Sequence, residues 1–166
     1  MKKHCLKVTL LTIFASVFLY SCGPASKINR ADIPWTYEIE SAGVGSDGTY
    51  ALRVWSYSRT PEISLEIPKK NAVHAVIFKG VPAGNGATAQ PPFITDNSVS
   101  PDDPFFTGFF SGEYARFINS VAKNSVQIMK SGKREYKIGY AISVSKDELR
   151  KYLESQGIIK ALSEGF

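Results

Sequence analysis

Hydrophobic and polar positions along this chain follow two different periods. Trp35, Tyr37 and Ile39 alternate with Thr36, Glu38 and Glu40, the period of two that marks a half-buried strand. Thr49 to Tyr57 (TYALRVWSY) is rich in β-branched and aromatic residues and predicts a second strand. Between them Gly43-Val-Gly-Ser-Asp-Gly48 reads as a turn, so the two strands form a hairpin. The clearest alternation runs from Arg134 to Val144. Tyr136, Ile138, Tyr140, Ile142 and Val144 face one way, and Lys137, Gly139, Ala141 and Ser143 the other. Ser125 to Lys130 predicts its partner strand, with Ser131-Gly-Lys133 as the tight turn.

Helical spacing appears in three places. Thr60-Pro61-Glu62 has the residues of a helix start, and Lys69 to Lys79 continues it with Ala72, Val73, Val76 and Ile77 on one face and Gly80 at its end. Pro68 lies inside this stretch and predicts a kink; the alternative is a short strand over Ile63–Ile67 with Pro68 starting the helix. Gly112 to Asn124 places Tyr114, Phe117, Ile118 and Val121 at i, i+3, i+4 and i+7, which predicts a helix. Ser145-Lys-Asp-Glu148 has the form of a capping box and opens a last helix to about Gln156, burying Leu149, Tyr152 and Leu153 and ending at Gly157. Val81 to Pro104 shows no period and predicts a long loop. The elements predict an α+β fold: an antiparallel sheet of two hairpins with helices packed on one face, in the order ββα-loop-αββα. One domain accounts for residues 35–166.

The N-terminus breaks this pattern. Lys2, Lys3, His4 and Lys7 precede Val8–Tyr20, an apolar run of about thirteen residues that is shorter than the roughly twenty needed to span a bilayer core. That length and those flanks belong to a secretory signal segment, here residues 1–21. Residues 22–34 are small, polar and punctuated by Pro24 and Pro34, as in a flexible tether. The full chain has 20 Lys+Arg against 15 Asp+Glu, a formal charge of +5; removing Lys2, Lys3 and Lys7 with the signal leaves 17 basic residues and a formal charge of +2. The basic balance therefore gives no support to a nucleic-acid partner, which needs a clustered basic face.

Leu19-Tyr20-Ser21-Cys22-Gly23 resembles a bacterial lipobox. The resemblance implies cleavage before Cys22, diacylglycerol on its thiol and an acylated amino terminus. Several acyl chains hold a protein to a bilayer almost irreversibly. The first charge after Cys22 is Lys27 rather than an acidic cluster. By the same resemblance this points to the outer membrane, on its periplasmic face, with surface exposure left open.

Candidate chemistry is sparse. Once Cys5 is removed and Cys22 is acylated, no thiol remains. His74 is then the one histidine, which leaves zinc without a ligand set and a Ser-His-Asp triad with a single candidate base. No metal and no cofactor is expected. His74 itself reads as a helix-surface or core-edge residue. Gly43-x-Gly45-x-x-Gly48 has the letters of a dinucleotide fingerprint, but a strand follows where that chemistry needs a helix. Glu38 and Glu40 share a strand face, a common arrangement on any solvated strand. Phe105, Phe106, Phe109 and Phe110 need apolar cover, either in the core under the loop or against a partner, and are the candidate partner-binding residues. Lys130, Lys133, Arg134 and Lys137 form a small basic patch, which reads most simply as a charged sheet edge.

Pro68-Lys-Lys-Asn-Ala-Val-His-Ala-Val-Ile-Phe-Lys-Gly80 and Glu135-Tyr-Lys-Ile-Gly-Tyr-Ala-Ile-Ser-Val-Ser145 resemble a group of uncharacterised Bacteroidetes envelope lipoproteins. More distantly, a strand, a helix carrying Asn-Ala and a hairpin are similar to small envelope lipoproteins and to the N-terminal domain of a flagellar assembly protein. The resemblance implies a lipid-anchored, non-catalytic binding or assembly module with a protein partner in the cell envelope. The alternative is a binding protein for cell-wall glycan or a small ligand, or a weak hydrolase, with an open site lined by aromatic rings and a carboxylate.

Overall fold

The computed structural model describes residues 28–46, 48–95 and 99–160. The alternating segments form a four-stranded antiparallel sheet in the order β1-β2-β4-β3. The strands are β1 (Tyr37–Gly43), β2 (Thr49–Ser58), β3 (Ile118–Gly132) and β4 (Glu135–Ser145). Between β2 and β3 lie α1 (Glu66–His74), which continues as one π-helical turn over Ala75–Lys79, then α2 (Pro104–Phe109) and a 3-10 turn at Glu113–Phe117. A last helix, α3 (Lys146–Ser155), follows β4 directly. The class is α+β, as the patterning predicts.

Register decides what each sheet face carries. Leu52 pairs with Ile142 and Val54 with Tyr140, so these side chains project from one face. On that face Tyr37, Leu52, Val54, Ile142 and Val144 join Ala72, Val73, Val76 and Ile77 of the α1 region and Leu149 and Leu153 of α3 in one buried core. Trp55 and Tyr57, odd-numbered on β2, point to the opposite face and lie outside that core.

The Phe105–Phe110 segment belongs to the same core. Asp103 accepts a hydrogen bond from the Phe105 N–H at 2.9 Å, Pro104 takes the first position of α2, and Phe106, Phe109 and Phe110 are buried. Their rings meet edge-on or tilted at 5.0–6.2 Å. Of the two readings of this run, the core holds for Phe106, Phe109 and Phe110, and their candidate partner-binding role is corrected: a short helix turns them inward, and Phe105 alone of the four keeps partial exposure.

Five further expectations change. The helix begins at Glu66, not Thr60, because the Ser58 and Thr60 hydroxyls both donate to the Glu62 carbonyl and hold that stretch in a turn. Pro68 then falls in the first turn, where its missing N–H would have had no intrahelical partner, and no kink is needed. The helix expected over Gly112–Asn124 shrinks to the 3-10 turn, and Ile118 onward enters β3. Asn119, Ser120, Asn124 and Ser125 are weak helix formers, and β4 needs a partner on its outer side. Ser145 precedes α3 but makes no side-chain cap bond, so the capping box is not formed. Finally, the tether is not free from Ile28 onward: a 3-10 turn at Arg30–Asp32 docks on the sheet. Residues 1–27, including the signal segment and Cys22, lie outside the described residues.

The long loop has structure of its own. Val81 bridges Gln90 and Gly84 bridges Ala87, folding 81–90 back on itself. The N–H groups of Phe93 and Ile94 then donate to the carbonyls of Val76 and Ile77 at 3.2 and 2.9 Å. Gly80 ends the π turn at φ +75°; a Cβ there would sit 2.5 Å from the Gln90 carbonyl oxygen, so the close return of the loop requires glycine.

Candidate functional site

The segment docked on the sheet builds a network on the face away from the helices. Asn29 caps its own short turn and donates through Nδ2 to the Arg134 carbonyl at 2.8 Å. Arg30 forks onto Glu135 at 2.7 and 3.1 Å, reaches Ser131 Oγ at 2.7 Å, and lies 4.1 Å over the Tyr57 ring while donating to its hydroxyl oxygen at 2.8 Å. The Tyr57 hydroxyl donates to Glu38, whose other oxygen takes Lys137 Nζ at 2.5 Å. Lys137 and Tyr57 therefore hold the Glu38 carboxyl below its usual range, and Arg30 does the same for Glu135. Asp32 pairs with Arg59. Beneath the chain of charges Trp55 lies flat over Gly139, where a Cβ would come within 2.7 Å of the ring, and it is 4% exposed.

The same strap closes a hollow of about 280 Å³ lined by Arg30, Asp32, Trp35, Tyr57, Ile67 and Asn71. A second cleft of about 300 Å³ lies between the β1–β2 turn and the 81–90 loop, lined by Gly43, Gly45, Gly48, Tyr50, Gln90 and Lys146. The glycines of the fingerprint spacing thus serve a strand-to-strand turn; the first turn of α3 abuts it, and its Asp147 N–H is taken by the Gly48 carbonyl at 3.2 Å.

Under α1 runs a polar seam that the sequence does not announce. Asn71 donates to Ser56 Oγ at 2.9 Å, and the Tyr37 hydroxyl and His74 Nδ1 share a hydrogen bond of 2.5 Å. His74 is buried, 3% exposed, instead of lying at the helix surface or the core edge. Trp35 stacks on it at 4.1 Å and Phe78 lies 4.9 Å away. Trp35 itself has φ +55°, a conformation bulky residues seldom adopt. His74 Nε2 has no partner among the described residues. Burial, and then the charge of Lys79, push the imidazole down to about 3; Tyr37 is pushed up and Lys79 down by burial as well. With both ring faces covered, His74 holds neutral and gives solvent no base.

The outer side of β3 is one of the two edges of the sheet. This strand runs fifteen residues and, among the described residues, pairs with β4 alone. Opposite Tyr140 it bulges, since Ala122 pairs with Ala141 and Gln127 with Gly139. Ile128 and Met129, on either face beyond the bulge, are 53% and 45% exposed. The signal for this surface was the mixed Ser125–Lys130 pattern; the strap was invisible because Arg30 and Glu135 are 105 residues apart. Among the described residues no three His, Cys, Asp or Glu side chains gather as a metal set, and no helix is long and apolar enough to cross a membrane.

No family model matches the chain, and no curated protein and no solved structure matches it either.

Proposed function

We propose that this chain is an exported lipoprotein, acylated on Cys22 and held in the cell envelope on the periplasmic face of the outer membrane, where it acts as a non-catalytic binding or assembly module. The observation that carries the binding part is the outer edge of β3, which no strand among the described residues covers and whose N–H and C=O groups suit an added strand of an envelope partner. The Leu-Tyr-Ser-Cys spacing before the domain supports the anchor. The burial of His74 and the pairing of Glu38, Asp32 and Glu135 with cations support binding over catalysis.

Two measurements test this. Metabolic labelling with an alkyne fatty acid should mark the native chain and fail with Cys22→Ala; an unlabelled native chain ends the lipoprotein reading. A photo-cross-linking residue at Lys123, on the exposed bulge, should trap a discrete partner in intact envelopes, while the same residue at Lys151 on α3 should not. Equal yields at both sites, or none at Lys123, count against strand addition.

A second reading has one observation in its favour. The hollow under the strap brings Trp35, Tyr57 and the Asp32 carboxylate together, the combination a small glycan would use. Titration with cell-wall oligosaccharides, followed by shifts of the Trp35 indole signal, should then saturate, and Asp32→Asn should weaken it.

A further inference from the structure

We infer that the tip of the β3–β4 hairpin is a membrane-seating surface that rests on anionic phospholipid headgroups. The inference rests on the reading of Cys22 as an acylated amino terminus and adds the attitude of the domain to it.

The strap fixes where the chain leaves the body. Asn29 bonds Arg134 and Arg30 bonds Ser131 and Glu135, so the N-terminal exit at Ile28 lies beside the hairpin tip. Six residue steps join Ile28 to Cys22, and a chain that long reaches at most about 21 Å. The tip is therefore the part of the domain closest to the acyl chains. The β1–β2 turn, at the other end of the sheet, stands about 30 Å further away by strand rise.

The tip has the composition that an anionic bilayer surface attracts. Lys130, Lys133 and Arg134 are exposed and make no ion pair among the described residues. The carboxylates of the docked segment and the strands below it are already taken, Glu135 by Arg30, Glu38 by Lys137 and Asp32 by Arg59. Ile28, 74% exposed, and the exposed Ile128 and Met129 supply apolar side chains beside these cations. Basic groups interleaved with apolar ones suit the headgroup boundary. An acidic polypeptide would match the charge but not the three apolar side chains, and a second copy would set like charges together. The bulge at 123–126 separates this tip from the rest of the β3 edge, which stays available to a partner above the membrane.

The test uses the full lipidated chain in vesicles of phosphatidylethanolamine with about one-third phosphatidylglycerol, carrying a headgroup-linked quencher. A thiol-reactive fluorophore is placed at Gly132→Cys, where a Cβ has ordinary room, or at the exposed Val44→Cys. The expected result is strong quenching at 132 and little at 44. The triple variant Lys130→Gln, Lys133→Gln, Arg134→Gln should still sediment with the vesicles while its seating equilibrium falls about a hundredfold, near fivefold per basic residue. Half-molar salt should act in the same direction. Protein that sediments but shows equal quenching at both sites, no quenching at 132, or the same quenching in purely zwitterionic vesicles overturns the inference while leaving the anchor intact. A parent chain that fails to sediment, or whose Cys22 takes the fluorophore, overturns the anchor and the seating together. Circular dichroism of the triple variant, altered only at exposed positions, confirms that it folds.

Discussion

The two faces of the sheet bury aromatic rings by different means. On the helix side, Tyr37 and the α2 phenylalanines lie in an apolar core, with one polar seam of Ser56, Asn71 and His74 threaded through it. On the far side, Trp55 and Tyr57 are covered by charged side chains in two pairs, Lys137 with Glu38 and Arg30 with Glu135, which the Tyr57 hydroxyl joins. Each face holds a buried ring nitrogen without a partner among the described residues, His74 Nε2 and Trp55 Nε1. The difference teaches that the helix side is held by water exclusion, whose strength scales with buried area. The far side is held by packing on Gly139 under a lid of exposed ion pairs, which contribute little individually. Loss of a ring should matter on the first face, and loss of a charge should act locally on the second.

The largest separation comes from Phe106→Ala. Phe106 has no exposed surface and touches Phe78, Phe105, Phe109 and Phe110. Its removal should cost about 3–5 kcal/mol in urea denaturation. A loss under 1 kcal/mol would mean that the helix-side core is not packed as described.

Acid should next expose the polar seam. His74 is neutral in the folded chain down to about pH 3 but takes a proton near 6.5 when unfolded. Below 6.5 the unfolded state binds more protons, so the stability present at neutral pH is lost as pH falls toward 3. Between pH 6.5 and 5.5, above the range of the carboxylates, the slope should rise toward about 1.4 kcal/mol per pH unit. His74→Gln should flatten it, and an unchanged slope would assign the acid sensitivity elsewhere.

Gly139→Ala probes the far face. The added methyl meets the Trp55 ring at 2.7 Å, and the displaced ring should cost about 1–3 kcal/mol with a red shift in indole emission. Arg30→Gln should leave the global midpoint nearly unchanged while amide exchange over 29–36 accelerates. A large drop in the midpoint would show the lid to be structural.

The hairpins were legible because β4 repeats an apolar residue at every second position and Gly43 and Gly48, both at positive φ, bracket the first turn. Gly80 and Gly157 marked helix ends for the same backbone reason. The 112–124 segment misled because Tyr114 and Phe117 satisfy a helical period in a 3-10 turn as well as in an α-helix, and Ile118 and Val121 then face inward from a strand. The Phe105–Phe110 run could be read as core or surface, and only the position of α2 against α1 decides between them. The strap and the His74–Tyr37 bond join residues far apart in the chain, and no local period encodes such a pair.

The central ladder has a consequence for the order of synthesis. β2 pairs with β4, so residues 49–58 must wait for 136–145 before the middle of the sheet can close. At 5–20 residues per second, the intervening stretch of about eighty residues takes on the order of 4–16 s to emerge. Throughout that interval β2 has only β1 as a partner, and an isolated hairpin is marginal in water. The middle of the sheet thus stays unzipped until residues 136–145 have emerged, and for all that time the first hairpin can still be drawn out as an extended chain.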